Sequence, residues 1–490
     1  MSLTSSMEIA RSNLSVLSDR TAVTSRNVAN VGNQYATRKL ANTVTAAGGI
    51  GVRLASITRA SDDALFDKLI TSNSSLGRNQ VIVESLDRLN QTINDVEQDA
   101  SPAAVVGKLA DALQQFSTAP QDDIRAQIAL SSASETANAL NAATDVVQQT
   151  RTTADQQIAD SVASLNNLLG QFEEVNINVI NGSRTGADIT DQLDTRDRLL
   201  ADISREIGIR TVTRANNDVA IYTDSGVTMF ETQPRTISFE ATLAFNATST
   251  GNAILVDGVQ VTGSAAPMPI SSGRLKGLTE IRDELAVTYQ NQLDEIARGL
   301  ITVFAERDQS AVPALPDATG LFSYAGSPAV PPAGTAVTGL AGQIRVNPVV
   351  DPAQGGDAAL LRDGGVNGAA YVYNTSGAAG FSDRLLAVAD QFFSPRAFDP
   401  TAQAGSTTTL VTYASNSVGW LQETRQSANT EFEFRTALFE RSADSLSKVT
   451  GVNLDYEMTV LLELERSYQA TSRLIATINN MFDALILAAG

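Results

Sequence analysis

Leu454, Leu461, Tyr468, Ile475 and Phe482 recur at every seventh position of the C-terminal segment, and Leu464, Thr471, Ile478 and Leu485 form a companion row three residues further on. Seven-residue spacing kept up over about four repeats winds an apolar seam along one helix. Such a seam cannot be satisfied within its own helix and demands another helix beside it. Asn453 or Asp455, in "TGVNLDYE", supplies a cap for its start.

The opening segment carries a similar stripe. Leu3, Met7, Ala10, Leu14, Leu17, Thr21, Thr24, Val28 and Val31 advance by fours and threes, although several are small or polar. The stripe stops at Asn30–Gln34, where Gly32 and Asn33 provide a helix end. Heptad-type helices at both ends suggest that the termini pack together as a coiled coil or against copies of the same chain, and a helical hairpin buried in one large globule fits the same pattern.

Between the ends most of the chain keeps helical spacing. Ala60–Ser117 reads as helix with breaks near Pro102 and Gly107, and Asp122–Asn181 as another, interrupted around Gly170 at most. Asp188–Ile209 is amphipathic, Arg274–Asp308 is long, and Leu410–Val449 precedes the last helix. The period changes to two within Ile209–Ser272. "RTVTRANNDVAIYTDSGVTMF" reads as three strands with turns at Asn216–Asp218 and Asp224–Gly226, and "TISFEATLAF" and "AILVDGVQV" read the same way. Residues 310–380 are rich in Gly, Ala and Pro and read as loops and short strands. The expected fold class is mainly α with β insertions. A terminal helical domain is expected over 1–45 and 452–490, and a helical-bundle body over 46–208, 273–309 and 381–451. An inserted β domain covers 209–272, and loops cover 310–380.

A chain of 490 residues exceeds what one core usually supports. Only 5% of residues are aromatic, so the core must rest on Leu, Ile, Val and Ala. The net charge of −19, with Lys39, Lys68, Lys108, Lys276 and Lys448 as the only lysines, argues against nucleic acid as a partner. Cysteine and histidine are absent, which removes thiol chemistry, imidazole or thiolate metal sites and Ser-His-Asp triads. The first twenty residues hold no basic region and no apolar block, so no cleaved secretory signal is expected, and no run suggests membrane insertion.

The remaining polar clusters form no site by spacing. Asp62–Asp63 and Glu173–Glu174 are adjacent and diverge on a helix, so a solvated face is the plainer reading. Asp95, Glu97 and Asp99 lack the glycine and terminal glutamate of a calcium loop. "GGVNGAAY" and "PPAGTAVTGLAG" lack the Lys-Ser/Thr of a phosphate loop. Asp194 and Arg198 are spaced as a helix-supporting ion pair and nothing more. No catalytic residue, cofactor or metal is expected.

One stretch is specific. "SRNVANVGNQYATRK" resembles the N-terminal signature of the flagellar axial proteins, the rod, hook and hook-associated family. Asn27, Val28, Ala29 and Asn30 match its core, Tyr35 its aromatic position, and Arg38 and Lys39 its basic positions. The Pro-Gly or Thr-Gly usual before the aromatic is replaced by Asn33-Gln34. "GVRLASITRASDDAL", "DQLDTRDRLLADISREIGIRTV" and the segment Ser271–Gln309 are similar to the hook-associated branch of that family, in the same order. The tail from Gly451 resembles the family's closing helix. The flagellin pattern lacks Asn-Val-Ala-Asn.

The resemblance implies a non-enzymatic structural subunit, exported without a cleaved signal through the flagellar type III route and assembled outside the cell. The implied partners are further copies in a helical ring, hook protein, a second hook–filament junction protein and an export chaperone. The assembly seam would comprise Leu3, Met7, Leu14, Leu17, Val28, Leu454, Leu461, Leu464, Tyr468, Ile475, Ile478, Phe482 and Leu485. Two alternatives fit less well. A hook or distal rod subunit fits poorly with so long a helical middle, and a wall-active enzyme lacks convergent carboxylates.

Overall fold

The computed structural model describes residues 2–33, 35–46, 51–93, 101–310, 312 and 315–489. Gln34, at the end of the expected helix stop, and Asp95, Glu97 and Asp99 lie outside the described residues.

Helix α1 spans Leu3–Ala29, with Ser2 accepting from the Ser5 amide as its cap. The chain then turns through Gly32, at φ +89°. It enters an antiparallel hairpin, β1 (Lys39–Thr45) and β2 (Val52–Arg59). The sequence pattern predicts no strands here. Both faces of the hairpin are largely solvated, so the alternation of apolar and polar residues that marks a half-buried strand is missing. Gly51, at φ +91°, lets the tip lie against α1: a Cβ there would come within 2.5 Å of Ser12 Oγ, which accepts from the Val52 amide.

Helix α2 (Asp63–Ile93) and α3 (Pro102–Thr118) follow, with Ser101 capping α3 and Pro102 in its first turn. Gly107 lies inside α3 without breaking it. Helix α4 (Asp123–Thr185) is a single element of 63 residues, about 95 Å at helical rise. Asp122 caps its start and Gly186, in the left-handed region, ends it. Gly170 interrupts nothing. Helix α5 (Thr190–Glu206) returns along α4. Next come β3 (Ile209–Thr213), β4 (Val219–Thr223) and β5 (Thr228–Phe230), an antiparallel sheet in the order β3-β4-β5. A second small sheet joins β6 (Ile237–Ser238), β7 (Leu255–Val256) and β8 (Val259–Gln260).

Helix α6 (Arg274–Glu280) passes through a π-helical turn, Ile281–Leu285, into α7 (Ala286–Val303). The helix therefore stops short of the expected Asp308. The loop region holds the paired strands β9 (Phe322–Ser323) and β10 (Arg345–Val346), helices α8 (Ala359–Asp363) and α9 (Asp383–Phe392), and the paired strands β11 (Arg396–Ala397) and β12 (Thr407–Thr408). Helices α10 (Leu410–Thr450) and α11 (Leu454–Ala489) close the chain, and Asn453 accepts from the Tyr456 amide as the α11 cap.

The core runs along α4. Ala129, Ala133, Leu140, Val147, Ile158, Leu165, Leu169, Phe172 and Val179 are fully buried, three to eleven positions apart. Phe172 meets Phe230 of β5 edge-on at 4.9 Å, which seats the β3-β5 sheet on the helix. Buried charges fix the loops. Asp155 of α4 and Arg282 of the π turn pair at 2.6 Å with their side chains essentially inaccessible. Arg151 donates to the carbonyls of Arg282, Asn246 and Ser249. Asp294 of α7 accepts from the Gly339 and Ala341 amides, and Glu306 from the Val366 and Asn367 amides and from Arg384. Each carboxylate replaces backbone partners that irregular loops lack.

Candidate functional site

The signature around Asn27 sits where α1, the hairpin and α5 meet, and this joint is the candidate site. Asn27 is 2% exposed. Its amide nitrogen donates to the Lys39 carbonyl at 3.0 Å, and its oxygen accepts from the Lys39 amide at 2.8 Å. The side chain thus imitates a strand partner for the first residue of β1. Aspartate or leucine at this position would leave a buried backbone group unpaired. Asn30 bonds back to the Arg26 carbonyl and closes the end of α1. Val28 is half-buried and Ala29 exposed; Tyr35 is half-buried. The Arg38 amide donates to the Thr450 carbonyl at 2.7 Å, and its guanidinium lies 5.4 Å from the Tyr456 ring centre. Arg38 therefore ties the same joint to the turn between α10 and α11.

A row of carboxylates on the α5 side answers the cations of the signature. Asp188, Asp191, Asp194 and Asp197 follow at every third position. Lys39 Nζ, whose side chain is 3% exposed, contacts Asp194 and the Thr190 carbonyl. Arg59, at the end of β2, reaches Asp194 at 3.0 Å and Asp197 at 2.7 Å. Arg26 reaches Asp188 at 3.0 Å. Thr37 donates to Asp194 from both its amide and its hydroxyl. Burial works to raise the Asp188 carboxyl, but hydrogen bonds from Thr190 and Arg26 outweigh it and hold it below its ordinary range. At Asp197 burial prevails over Arg59 and Arg196, and the carboxyl sits above its ordinary range.

The expected Asp194–Arg198 pair is thus replaced. Asp194 is taken up by Lys39 and Arg59, because partners brought in by the fold approach in a less solvated place than a surface helix neighbour can. Asp62 also departs from the reading as a solvated face, since it accepts from the Leu65 amide at the start of α2. The sequence signal for this site was the three-residue spacing of the four aspartates, which meant nothing until the cations were placed opposite.

The terminal helices pack on one another. On α11, Leu464, Thr471 and Ile478 are buried, and Thr471 Oγ1 accepts from Asn13 of α1 at 3.1 Å. Leu461, Ile475 and Phe482 are half-buried, whereas Leu454, Tyr468 and Leu485 are exposed. On α1, Leu17 is buried and Leu3, Met7, Leu14 and Val28 are half-buried. Val16 and Val23, outside the expected stripe, are also buried. Met458, Leu462, Leu474, Met481, Ile486 and Leu487 leave further apolar surface of α11 uncovered.

Residues 74–320 match the helical domain of the flagellar hook-associated protein FlgK, half of the chain. The chain belongs to the FlgK family of flagellar hook-associated proteins. Residues 447–487 match the C-terminal segment of the flagellar basal body rod proteins FlgEFG. Flagellar hook-associated protein 1 of Bacillus subtilis (strain 168) is 20% identical over 526 aligned positions, covering 99% of this chain and 98% of that protein. The flagellar hook junction protein FlgK from Burkholderia pseudomallei shares the fold at a TM-score of 0.57 with 14% identity, over 77% of this chain and 99% of that one. As a member of the family, the protein is a structural component of the bacterial flagellum at the junction of hook and filament. The family is a structural one and its place is extracellular. Among the described residues no helix is long and apolar enough to cross a membrane.

Proposed function

We propose that the protein is a mechanical adaptor: copies form a helical ring that stacks on hook protein below and receives a second hook–filament junction protein above. The terminal segments 1–45 and 452–490 form the inner tube. The helical body (46–208, 273–309 and 381–451), with the β insertion 209–272 and the loops 310–380, lies outside it. The observation that supports this best is the uncovered apolar surface of α11. Leu474 and Met481 are each 51% exposed on a helix already packed against α1, which leaves them for neighbouring copies. The same helix is the natural place for an export chaperone before secretion through the flagellar type III route, which keeps that surface covered until assembly. The joint at Asn27 and Asp194 passes load from tube to body.

The test is electron microscopy of a strain lacking this gene. Hooks should end bare, with filament protein lost to the medium, and the wild-type gene should restore filaments. Filaments of normal length on the deletion strain would overturn the proposal.

A further inference from the structure

Helix α10 is enclosed only at its start. From Gln422 to Val449 none of its residues is buried. Helix α2 runs along it, with Arg425 meeting Asp87 at 3.1 Å, and the rest of its circumference is open. Phe434 is 58% exposed, and Leu438, one turn on, and Val449 are exposed as well. Phenylalanines of the core such as Phe172 and Phe392 are fully enclosed. One exposed leucine on a surface is ordinary, but an aromatic ring with an aliphatic neighbour on a long helix covered on one side marks a contact surface.

The charges beside that surface select its partner. Glu433 and Glu440 are exposed, seven positions apart and without ion pairs among the described residues. Glu433 stands one position before Phe434, about 100° to one side of it. Helix α11 carries the same pattern with the opposite sign. Arg466 and Arg473 are exposed, also seven positions apart and also without ion pairs among the described residues. Arg473 stands one position before Leu474, which is 51% exposed, again about 100° away in the same sense. Two helices patterned in this way lay apolar row on apolar row and acid on base when they run antiparallel. Glu433 then faces Arg473, and Glu440 faces Arg466, because a shared spacing of seven keeps both pairs in register along one seam. The α11 of the same chain is taken up by α1, so a second copy must supply the partner.

We propose that the open face of α10 around Phe434 and Leu438 docks, antiparallel, on the Arg466–Met481 segment of α11 of a neighbouring copy of this chain. The proposal rests on the ring-forming reading above. It seats the body of one subunit on the tube of the next. Apolar contact supplies the attraction, and the two charge pairs fix register and direction.

The test places the photocrosslinking residue p-benzoylphenylalanine at Phe434, in the full chain in assembled flagella. A second strain carries it at Met481 of α11. Irradiation at Phe434 should give a covalent dimer of this chain, with the captured peptide lying within residues 466–481. When Arg466→Glu and Arg473→Glu are added, the yield per assembled subunit should fall at least tenfold, or assembly should fail. Adding Glu433→Arg and Glu440→Arg to that chain should repair either defect. An undiminished yield in the arginine variant, or no repair by the glutamate changes, would overturn the proposal. So would capture of a different protein, of another segment of this chain, or of α11 within one chain and without dimers. Silence at Phe434 beside dimers at Met481 would overturn it too. Silence at both positions would instead bring down the ring-forming reading, and the proposal with it.

Discussion

Two long helices of this protein, α4 and α11, both carry apolar residues at helical spacing and differ in what surrounds them. Helix α4 buries Leu140, Val147, Ile158, Leu165 and Phe172 completely, with other helices and a sheet packed around it. Helix α11 packs on α1, buries Leu464, Thr471 and Ile478, and leaves Leu462, Leu474, Met481 and Leu485 in solvent. Hydrophobic burial scales with the area removed from water, so the first helix is stabilised by its own chain and the second only in part. A helix in a closed core and a helix covered on one side can therefore both carry apolar rows along their length. What separates them is the number of faces that the chain itself covers.

The largest blow to that contrast comes from emptying the closed core. Phe172→Ala removes a fully buried ring that also meets Phe230. It should cost about 3–5 kcal/mol, read as a lower urea midpoint for the whole body. Leu464→Ala on α11 should leave that midpoint in place and show itself as faster proteolytic trimming of the C-terminal segment. Equal shifts from the two variants would mean that the chain unfolds as one unit.

The joint comes next. Asp194→Asn leaves Lys39, with a side chain 3% exposed, and Arg59 without their shared carboxylate. Breaking a buried pair by removing one partner costs about 3–5 kcal/mol; Asp191 and Asp197 remain close and should hold the loss toward the lower figure. The loss is confined to the joint. Amide exchange at Lys39 should accelerate together with exchange along β1, while amides of α4 keep their protection. Unchanged exchange at Lys39 would show that Asn27 alone holds the strand.

A smaller effect separates core from terminus by pH. Burial raises the Asp294 carboxyl to about 6, although the Ala341 and Gly339 amides and Gln290 work to lower it. The folded state thus holds this proton more tightly than the unfolded chain. Its contribution to stability is complete below the ordinary carboxyl value of 3.8 and is lost as pH rises through about 6. Between pH 7 and pH 5 the body should gain about 1 kcal/mol from this group, within the limit of one proton's linkage. Asp294→Asn should abolish that part of the slope in a comparison of melting curves. A slope identical in the two proteins would place the titration elsewhere.

Periodicity made the helices legible. The seven-residue rows marked α11, and the turns at Asn216–Asp218 and Asp224–Gly226 marked the sheet that β3, β4 and β5 form. The hairpin at Lys39–Arg59 was not legible, because strands wet on both faces carry no alternating signal. Nor was the joint. Lys39 and Asp194 lie 155 positions apart, and a spacing rule for neighbours on one helix assigned Asp194 to Arg198 instead. Asn27 was visible as a family residue, but its task is to complete a backbone pair, and backbone partners leave no mark in a side-chain pattern.

The smallest effect on the fold should come from the change with the largest effect on assembly. Ile475 lies one heptad from Tyr468 and from Phe482 on α11, and it is half-buried in the single chain. Ile475→Asp puts a charge at the margin of the contact with α1, where water still reaches it, so the free protein absorbs the change with little loss. The body's core lies along α4 and takes nothing from this position, so its melting temperature should not move. In a ring, neighbouring helices would close over the same margin and strip that water away. An unpaired carboxylate there costs several kcal/mol at each subunit, about the full value of burying a charge without a partner. The variant should therefore be soluble, fold normally and leave hooks bare. Arg473, two residues away and exposed, lies roughly 160° round the helix, so Arg473→Asp should be milder. If Ile475→Asp instead lowers the melting temperature of the body, α11 belongs to the closed core after all, and the contrast with α4 is lost.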